Sequence, residues 1–511
     1  MIRRRIRTWS RVLGFLLVLY AAFRFTECDP LLFWERRAHL TDIVVRMFPL
    51  NWSYVPRIFL PLWYTLQMSV TGTGLGAVLA LVAAPWCAGN LSFPAVPRKI
   101  LRILIQILRS FPALILALLA TFLFGLGSFA GTAALTVYTF AILTRLNYED
   151  IENTEIGSYQ ALCAMGVTPV RAYFRAIVPE IAPSCLTNVL YLLETNVRHS
   201  SILGYVGAGG IGLLLNEKIS WLEYDKVGMI LFLLFLTAGV IELSSHGLAQ
   251  LVRGERAVGR RFRHAMICGL GLLFLLCTVT VQPPDFTRTS PAAVRRMIGG
   301  LFQPDWNFFL DMSSSGVGYL LLETVCISLV GTFVGAVLAV PLAFLNTSRF
   351  VPKPAAACVR IVIMAIRSVP FLIYGLIFIR VSGPGAFTGV LTLGVCSVGL
   401  LSKRFTEVIE SLDFRPYDAL AAMGVPALLR IRYAILPELF PAFASAILYR
   451  FDVNIREASV LGLVGAGGIG APLIFAMNQY AWNEAGAIAL GLVLLVWLVD
   501  CFSSEIRKEM E

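Results

Sequence analysis

The chain repeats itself at a spacing of about 258 residues, and this duplication constrains the fold more than any other feature of the sequence. TLQMSVTGTGLGAVLALVAA (65–84) aligns with TVCISLVGTFVGAVLAVPLA (324–343), and ALCAMGVTPVRAYFRAIVPEIAP (161–183) aligns with ALAAMGVPALLRIRYAILPELFP (419–441). A repeat of this length predicts two copies of one folding unit, which we call the first and the second copy. The boundary between them is predicted in the basic stretch around 249–264.

The composition is that of a polytopic membrane protein. Hydrophobic residues make up 58% of the chain and charged residues 14%, whereas soluble domains carry about 25% charged residues. Apolar runs that can cross roughly 30 Å of hydrocarbon recur from end to end. We therefore expect an all-α fold with about twelve transmembrane helices, six in each copy. They are predicted near 12–26, 62–84, 100–124, 129–146, 183–203, 226–247, 265–281, 320–344, 358–380, 386–402, 441–461 and 484–502.

Positive charge is concentrated before the first span and in the middle of the chain. The two blocks are Arg3, Arg4, Arg5, Arg7 and Arg11, and Arg253, Arg256, Arg260, Arg261 and Arg263. The positive-inside rule places both blocks, and hence both termini, in the cytoplasm. The copies are then parallel repeats with a pseudo-two-fold axis along the membrane normal. This placement accounts for the net charge of +11 without nucleic acid, and membrane lipid is the expected partner of the surface.

Four regions are predicted along the chain. They are an anchor helix with an outer segment (1–57), a first transmembrane domain (58–250), a basic linker with a second anchor and outer segment (251–319), and a second transmembrane domain (320–511). The first anchor also resembles a cleaved secretory signal. An uncleaved anchor is favoured, because the matching segment 265–281 lies where no N-terminal cleavage acts.

No metal or cofactor is expected on this chain. Its ten cysteines are scattered, it has only four histidines, and it contains neither C-x-x-C nor a cysteine–histidine cluster. These features argue against metal ligation and against a disulfide framework. The Walker A pattern G-x4-G-K-[ST] is also missing, so any ATP hydrolysis belongs to another subunit.

An amphipathic segment between the fourth and fifth spans of each copy, 147–180 and 405–438, is predicted to form a cytoplasmic elbow. Glycine and proline lie thirteen residues apart in both elbows. A helix, a glycine break, a second helix and a proline leading back into the membrane account for this order. The residues that define this pattern are Gln160, Ala161, Gly166 and Pro179 in the first elbow and Asp418, Ala419, Gly424 and Pro437 in the second.

The elbows resemble the loop E-A-A-x3-G-x9-I-x-L-P by which permeases of bacterial ABC importers dock onto their ATP-binding subunits. QALCAMG (160–166) and DALAAMG (418–424) keep the spacing, although glutamine and aspartate replace the leading glutamate. Ile177 and Ile435 also lie one place later than in that form. Each elbow is therefore a partial match to the docking loop.

Further motifs narrow the resemblance to the permease subunit of phosphonate importers. They are TNVRHSSILGYVGAGGIG (195–212), VNIREASVLGLVGAGGIG (453–470), LRSFP (108–112) and IRSVP (366–370). The resemblance implies a type I importer fold, similar to methionine permeases, with two permease units fused in one chain. It also implies two ABC ATPase subunits that bind ATP and magnesium, and a periplasmic or lipid-anchored substrate-binding protein.

By the same resemblance, the chain is a transport subunit of the bacterial inner membrane and not an enzyme. Its expected substrate is phosphonate or a related phosphorus oxyanion, such as phosphite or a phosphate ester. Another small solute, such as methionine or a quaternary amine, is the alternative within transport. A stand-alone carrier or a membrane enzyme is disfavoured, because few unpaired carboxylates are apparent in the spans.

Arg109 and Arg367 lie in apolar stretches, three residues before Pro112 and Pro370. An arginine in mid-bilayer costs about 2.5–3.5 kcal/mol, so both are predicted to face the bundle interior or a watery cavity. There a pair of guanidinium groups attracts a substrate oxyanion. Snorkelling to the cytoplasmic face and a role in the fold itself are the alternatives. The similarity of R-S-x-P to methionine importers favours a role in the fold.

The fifth span of each copy carries an acid four residues before a base, which favours an ion pair within the helix. The pairs are Glu194 with Arg198 and Asp452 with Arg456, and Asn196 and Asn454 lie between them. The two arginines and the two asparagines are also candidates for the substrate path.

The strings GYVGAGGIG (204–212) and GLVGAGGIG (462–470) both contain G-x-G-x-x-G. Their motif glycines are Gly207, Gly209, Gly210 and Gly212, and Gly465, Gly467, Gly468 and Gly470. A dinucleotide-binding turn needs a preceding strand and a parallel sheet, which a position between membrane spans excludes. Two interpretations stay open: close helix packing through small residues, or a non-helical break that lines the pathway near its outer mouth.

Overall fold

A computed structural model describes residues 2–91, 95–252, 260–284 and 291–510. Every regular element in these residues is helical, which confirms the predicted all-α fold. In chain order the helices are α1 (Ile2–Phe25), α2 (Pro30–Glu35), α3 (Arg37–Met47), α4 (Val55–Cys87), α5 (Ala95–Ser110), α6 (Ala113–Phe124), α7 (Ser128–Asn153), α8 (Gly157–Ala164), α9 (Pro169–Ala172), α10 (Val178–Leu203), α11 (Ile211–Ser220), α12 (Tyr224–Val252), α13 (Arg260–Val279), α14 (Pro291–Leu301), α15 (Trp306–Leu310), α16 (Val317–Asn346), α17 (Lys353–Ser368), α18 (Phe371–Ser382), α19 (Ala386–Glu410), α20 (Arg415–Ala422), α21 (Ala427–Arg430), α22 (Leu436–Leu461), α23 (Gly470–Asn478) and α24 (Trp482–Met510).

The chain forms two compact units. The first unit is Arg46–Arg295, and the second unit combines Met1–Val45 with Arg296–Glu511. Each anchor helix therefore belongs to the unit built mainly from the other copy: α1 to the second unit and α13 to the first.

Side-chain contacts hold each anchor in its unit. In the second unit, the rings of Phe25 and Tyr319 have centroids 5.2 Å apart, which joins α1 to α16. In the first unit, the buried Gln67 of α4 donates from Nε2 to Thr280 Oγ1 at 2.8 Å and to the carbonyl of Cys277 at 3.2 Å, at the end of α13. A buried amide has to find such partners where no water is available.

Eight helical stretches are long and apolar enough to cross a membrane. They are Trp52–Cys87, Ser128–Asn153, Pro169–Val206, Tyr224–Leu251, Val317–Asn346, Ala386–Glu410, Ala427–Val464 and Trp482–Ile506. Two more spans are possible if each bent pair, α5 with α6 and α17 with α18, counts as one, so the described residues hold up to ten. The described residues thus hold eight to ten of the about twelve expected spans. The apolar part of α1, Leu13–Phe25, is shorter than a span, and the predicted span 265–281 falls in α13, which is not among the eight.

Glycines let α4 and α7 approach each other closely. A Cβ atom on Gly72 would lie 2.7 Å from Leu135 Cβ, and one on Gly76 would lie 2.6 Å from Thr139 Cβ. In the second copy, a Cβ on Gly331 of α16 would lie 2.8 Å from Leu393 Cβ on α19. Such close packing stabilises helix pairs in lipid, where the hydrophobic effect between helices is missing.

Replacing Gly76 by leucine is expected to lower the free energy of unfolding by about 1–3 kcal/mol, because the α4–α7 contact has no room for the side chain. Gly247 of α12 has no atom within 4 Å of its Cβ position, so Gly247→Leu is the matched control and leaves stability unchanged. Thermal unfolding of the purified chain in detergent measures both variants. Equal midpoints for the two would contradict the close approach.

Candidate functional site

Each elbow consists of two short helices around a glycine. In the first elbow, α8 ends before Gly166, which has φ +84°, and α9 leads through a π-helical turn into α10. In the second elbow, α20 ends before Gly424, which has φ +76°, and α21 leads in the same way into α22. A positive φ is readily adopted only by glycine, so each glycine ends its helix and turns the chain.

The motif residues of the elbows are exposed. They are Gln160, Ala161, Gly166, Pro179, Asp418, Ala419, Gly424 and Pro437. Large apolar side chains beside them are exposed too: Met165 at 72%, Phe174 at 64%, Met423 at 76%, Leu428 at 82% and Tyr433 at 66%. Exposed apolar patches of this kind mark surfaces that contact another protein or a membrane.

Buried apolar side chains attach both elbows to their units. They include Tyr159, Tyr173 and Ile177 in the first elbow and Ile435 in the second. The second elbow is also held by Arg349, whose Nη2 lies 2.7 Å from Asp418 Oδ2 and whose guanidinium lies 4.3 Å from the centre of the Phe414 ring.

A cleft of about 580 Å³ lies beside this ion pair. Charged groups line it, and the Arg415 side chain lowers the pKa of Asp413 by hydrogen bonding to the carboxylate. An ion pair between two helices also occurs in both copies: Arg102 with Glu152, and Arg360 with Glu410 at 3.6 Å.

Arg109 and Arg367 lie in the last turns of α5 and α17, directly before two sharp bends. The bends are 95° between α5 and α6 and 87° between α17 and α18. The spans predicted at 100–124 and 358–380 are therefore each a pair of helices with a bend between them. Proline lacks an N–H and disfavours helical backbone in the residue before it, so Pro112 and Pro370 each start a new helix. Both arginines are partly buried, and each lies in its own unit.

The fifth spans carry the acid–base pairs as helix neighbours. Arg198 Nη2 lies 3.2 Å from Glu194 Oε1, and Arg456 Nη2 lies 2.8 Å from Asp452 Oδ2. Their exposed fractions are between 8% and 20%. The charge of each arginine is thus neutralised by the acid four residues earlier on the same helix.

Asn196 and Asn454 are fully buried and join three helices in each copy. Asn196 Nδ2 donates to Thr73 Oγ1 at 2.8 Å and to Thr139 Oγ1 at 2.7 Å. Asn454 Nδ2 donates to Thr332 Oγ1 at 2.6 Å and to Ser397 Oγ at 2.9 Å. These asparagines connect helices inside the bundle, and neither has exposed surface in the structure.

A buried ion pair that was not predicted from the sequence occurs in the second copy alone. Arg450 Nη2 lies 2.8 Å from Glu457 Oε2, and the two side chains are 4% and 15% exposed. The first copy has Leu192 and His199 at these positions, and His199 Nε2 lies 3.4 Å from the Tyr138 hydroxyl. In the sequence, this pair is indicated by the spacing of seven residues between Arg450 and Glu457, which is two helical turns.

The glycine strings form two loops that start with a 3-10 turn, break the helical backbone and end at the next α-helix, with the same pattern of positive φ angles. We call Gly204–Gly212 the first glycine loop and Gly462–Gly470 the second glycine loop. Positive φ angles of 76° to 83° occur at Gly207, Gly209 and Gly210 and at Gly465, Gly467 and Gly468. Gly212 and Gly470 serve close packing instead, because a Cβ there would collide with the carbonyls of Ser201 and Ser459. The strings therefore both break the helix and pack closely.

Each glycine loop is fastened at two points. The carbonyl of Gly207 accepts from Gly127 N at 3.0 Å, and Thr65 Oγ1 accepts from Ile211 N at 2.8 Å. The second copy has the same bonds, from Gly385 N to the carbonyl of Gly465 at 2.9 Å and from Ile469 N to Thr324 Oγ1 at 3.1 Å. The loops thereby join the fifth span of each copy to its second span and to the turn before its fourth.

The buried pair gives a stability prediction with an internal control. Glu457→His leaves the buried Arg450 without its carboxylate and is expected to cost about 3–5 kcal/mol of unfolding free energy. Adding Arg450→Leu reproduces the residues of the first copy and is expected to restore most of that loss. Thermal unfolding of the single and double variants measures the difference. A double variant no more stable than the single one would show that the charge pair is not the cause.

The comparisons with known proteins cover both copies. A family described as binding-protein-dependent transport system inner membrane component matches residues 45–253 and 331–504. The phosphate-import permease protein PhnE of Mycolicibacterium smegmatis is 29% identical over 477 residues, which are 92% of this chain and 89% of that protein.

Two further matches cover less of the chain. The phosphite transport system permease protein PtxC of Stutzerimonas stutzeri is 39% identical over 192 residues, 37% of this chain and 70% of that protein. A solved structure of the MetNI methionine ABC transporter in inward-facing conformations has a TM-score of 0.37 and 24% identity, over 40% of this chain and 99% of that chain.

Proposed function

Because the chain belongs to the family of binding-protein-dependent transport system inner membrane components, we propose that it is the permease of an ATP-driven importer for phosphorus oxyanions. It is a multi-pass protein of the inner membrane, and both permease units lie in one chain. ATP hydrolysis belongs to separate subunits. Phosphonate, phosphite or a phosphate ester is the proposed substrate, in keeping with the names of the phosphate and phosphite permeases to which the chain is similar.

The observation that carries this proposal is the pair of elbows with exposed apolar side chains. An ATPase subunit docked on each elbow covers Met165 and Phe174 in the first copy and Met423 and Leu428 in the second. We propose two such subunits, which hold ATP and magnesium, and a substrate-binding protein at the opposite membrane face. The elbows and both termini then lie in the cytoplasm, as the arginine blocks indicate.

The helices around each elbow suit it to transmit motion. The first elbow connects α7 directly to α10, and the second connects α19 to α22. A movement of the ATPase subunits at the elbows therefore reaches the second, fourth and fifth spans through packed helices. Rigid-body movement of such bundles is the usual basis of alternating access.

The docking surface gives the first test of this function. Met423→Glu together with Leu428→Glu places two charges in the proposed interface and is expected to lower retention of the ATPase subunit at least about tenfold. Met312→Glu is the control, because Met312 is 78% exposed in an outer segment. Affinity purification from the native membrane measures the retained ATPase. An unmodified chain that retains no ATPase subunit contradicts the proposal.

The two arginines beside the helix bends give a test of the substrate path. We expect Arg109→Ala combined with Arg367→Ala to abolish uptake of labelled phosphite without loss of membrane insertion, because no guanidinium then attracts the oxyanion. Insertion is measured by the amount of folded chain in the membrane fraction. Normal uptake by the double variant removes these residues from the path. Uptake of methionine or a quaternary amine, and not of phosphite, by the unmodified transporter supports the alternative substrate class.

A further inference from the structure

The two glycine loops share one backbone conformation but differ in what their amides bind. In the second glycine loop, Gly468 N donates to Glu323 Oε2 at 3.1 Å. Glu323 precedes Thr324 on α16, and the aligned residue of the first copy, which precedes Thr65 on α4, is Tyr64. A carboxylate of the chain itself therefore occupies the second loop, and the first copy has no carboxylate at that position.

The first glycine loop has amides without acceptors. Across the described residues, neither Gly209 N nor Gly210 N donates a hydrogen bond, although the neighbouring Ala208 and Ile211 amides do. Gly210 is buried and Gly209 half-buried. A buried N–H without an acceptor is costly, and nearly all such groups in folded proteins are paired. These two donors thus fit an acceptor that comes from outside the chain.

A further donor without a partner belongs to Ser128, the residue that packs against Gly209. Ser128 is 3% exposed, and its hydroxyl has no hydrogen-bond partner within the part of the chain that the structure describes. The backbone nitrogen of Ser128 lies 3.5 Å from the position that a Cβ atom on Gly209 would take. The second copy has Ala386 at this position, so the hydroxyl is present only where the internal carboxylate is missing.

The helix ends at this place favour negative charge. Ser128 is the first residue of α7, and α11 begins at Ile211, directly after the first glycine loop. Neither helix has a side-chain cap at its N-terminus. The partial positive charge of a helix N-terminus, together with free N–H groups, is a well-established setting for anions.

We propose that the first glycine loop is an oxyanion-binding subsite, at which Gly209, Gly210 and Ser128 donate to a phosphorus oxyanion in transit. The second glycine loop is the same structure with Glu323 as its permanent occupant. The fused permease then has one such subsite instead of two. This inference rests on the proposed function for its ligand, whereas the donors and their internal carboxylate counterpart are properties of the chain.

Hydrogen exchange on the full-length chain in lipid nanodiscs tests the subsite, with sodium phosphite as the probe and sodium chloride of equal ionic strength as the reference. Saturating phosphite is expected to slow exchange of the amides in 207–212 about tenfold, the size expected for charge-assisted hydrogen bonds. The amides in 465–470 are the matched control and stay unchanged, because Glu323 already occupies that loop. Protection of both loops, or of neither, overturns the proposal.

A pair of variants tests the role of the subsite in transport. Tyr64→Glu copies the internal carboxylate into the first copy and is expected to lower phosphite uptake about tenfold, because it competes with the substrate for the same donors. Tyr64→Gln has nearly the same shape as Tyr64→Glu and no charge, and it is expected to transport as the parent does. Uptake is measured in vesicles that contain the complete transporter with its ATPase and binding protein.

The outcomes separate this inference from the proposed function. If the unmodified transporter does not take up phosphite or a phosphonate, the proposed substrate class fails, and the subsite fails with it. If the parent transports phosphite but Tyr64→Glu and Tyr64→Gln transport it equally well, the subsite alone is overturned and the permease function stands.

Discussion

The structure depends on one constraint: a backbone N–H or C=O that would otherwise face lipid has to find its partner inside the protein. Continuous helices meet this requirement, and most described residues are helical. The two glycine loops interrupt the helices, so their backbone groups need other partners. Thr65 and Thr324 accept from the amides at the ends of these loops, and the carbonyls of Gly207 and Gly465 accept from a neighbouring turn. In these loops, side-chain hydroxyls and a neighbouring turn therefore supply hydrogen bonds that a continuous helix would supply from its own backbone.

Much of the fold could be predicted from the sequence, because duplication, hydropathy and helix-breaking residues are local signals. The two elbows follow from Gly166, Gly424 and their prolines, and the acid–base pairs of the fifth spans follow from a spacing of four. The exchange of α1 and α13 could not be predicted, since no local pattern records which copy an apolar helix packs against. The contact between Gly468 and Glu323 joins residues 145 apart, and only the folded chain brings them together.

The two copies agree where helices have to approach and differ in some of their charged groups. The buried asparagine and its two hydroxyl partners occur twice, as does the ion pair of Arg102 or Arg360 with its glutamate. Arg450 with Glu457, Arg349 with Asp418, and Glu323 occur only in the second copy. Packing in lipid tolerates little change in shape. A polar group can differ between the copies as long as its own copy supplies a partner.

The exchange of anchor helices has a consequence for the synthesis of the protein. Phe15 of α1 packs against Phe333 of α16, so α1 has its partner more than three hundred residues later in the chain. At 5–20 residues per second, that interval lasts roughly 15 to 60 s on the ribosome. Until then, the face of α1 that carries Phe15 has no Phe333 to pack against. The packing of α1 is therefore completed only when the second copy is made.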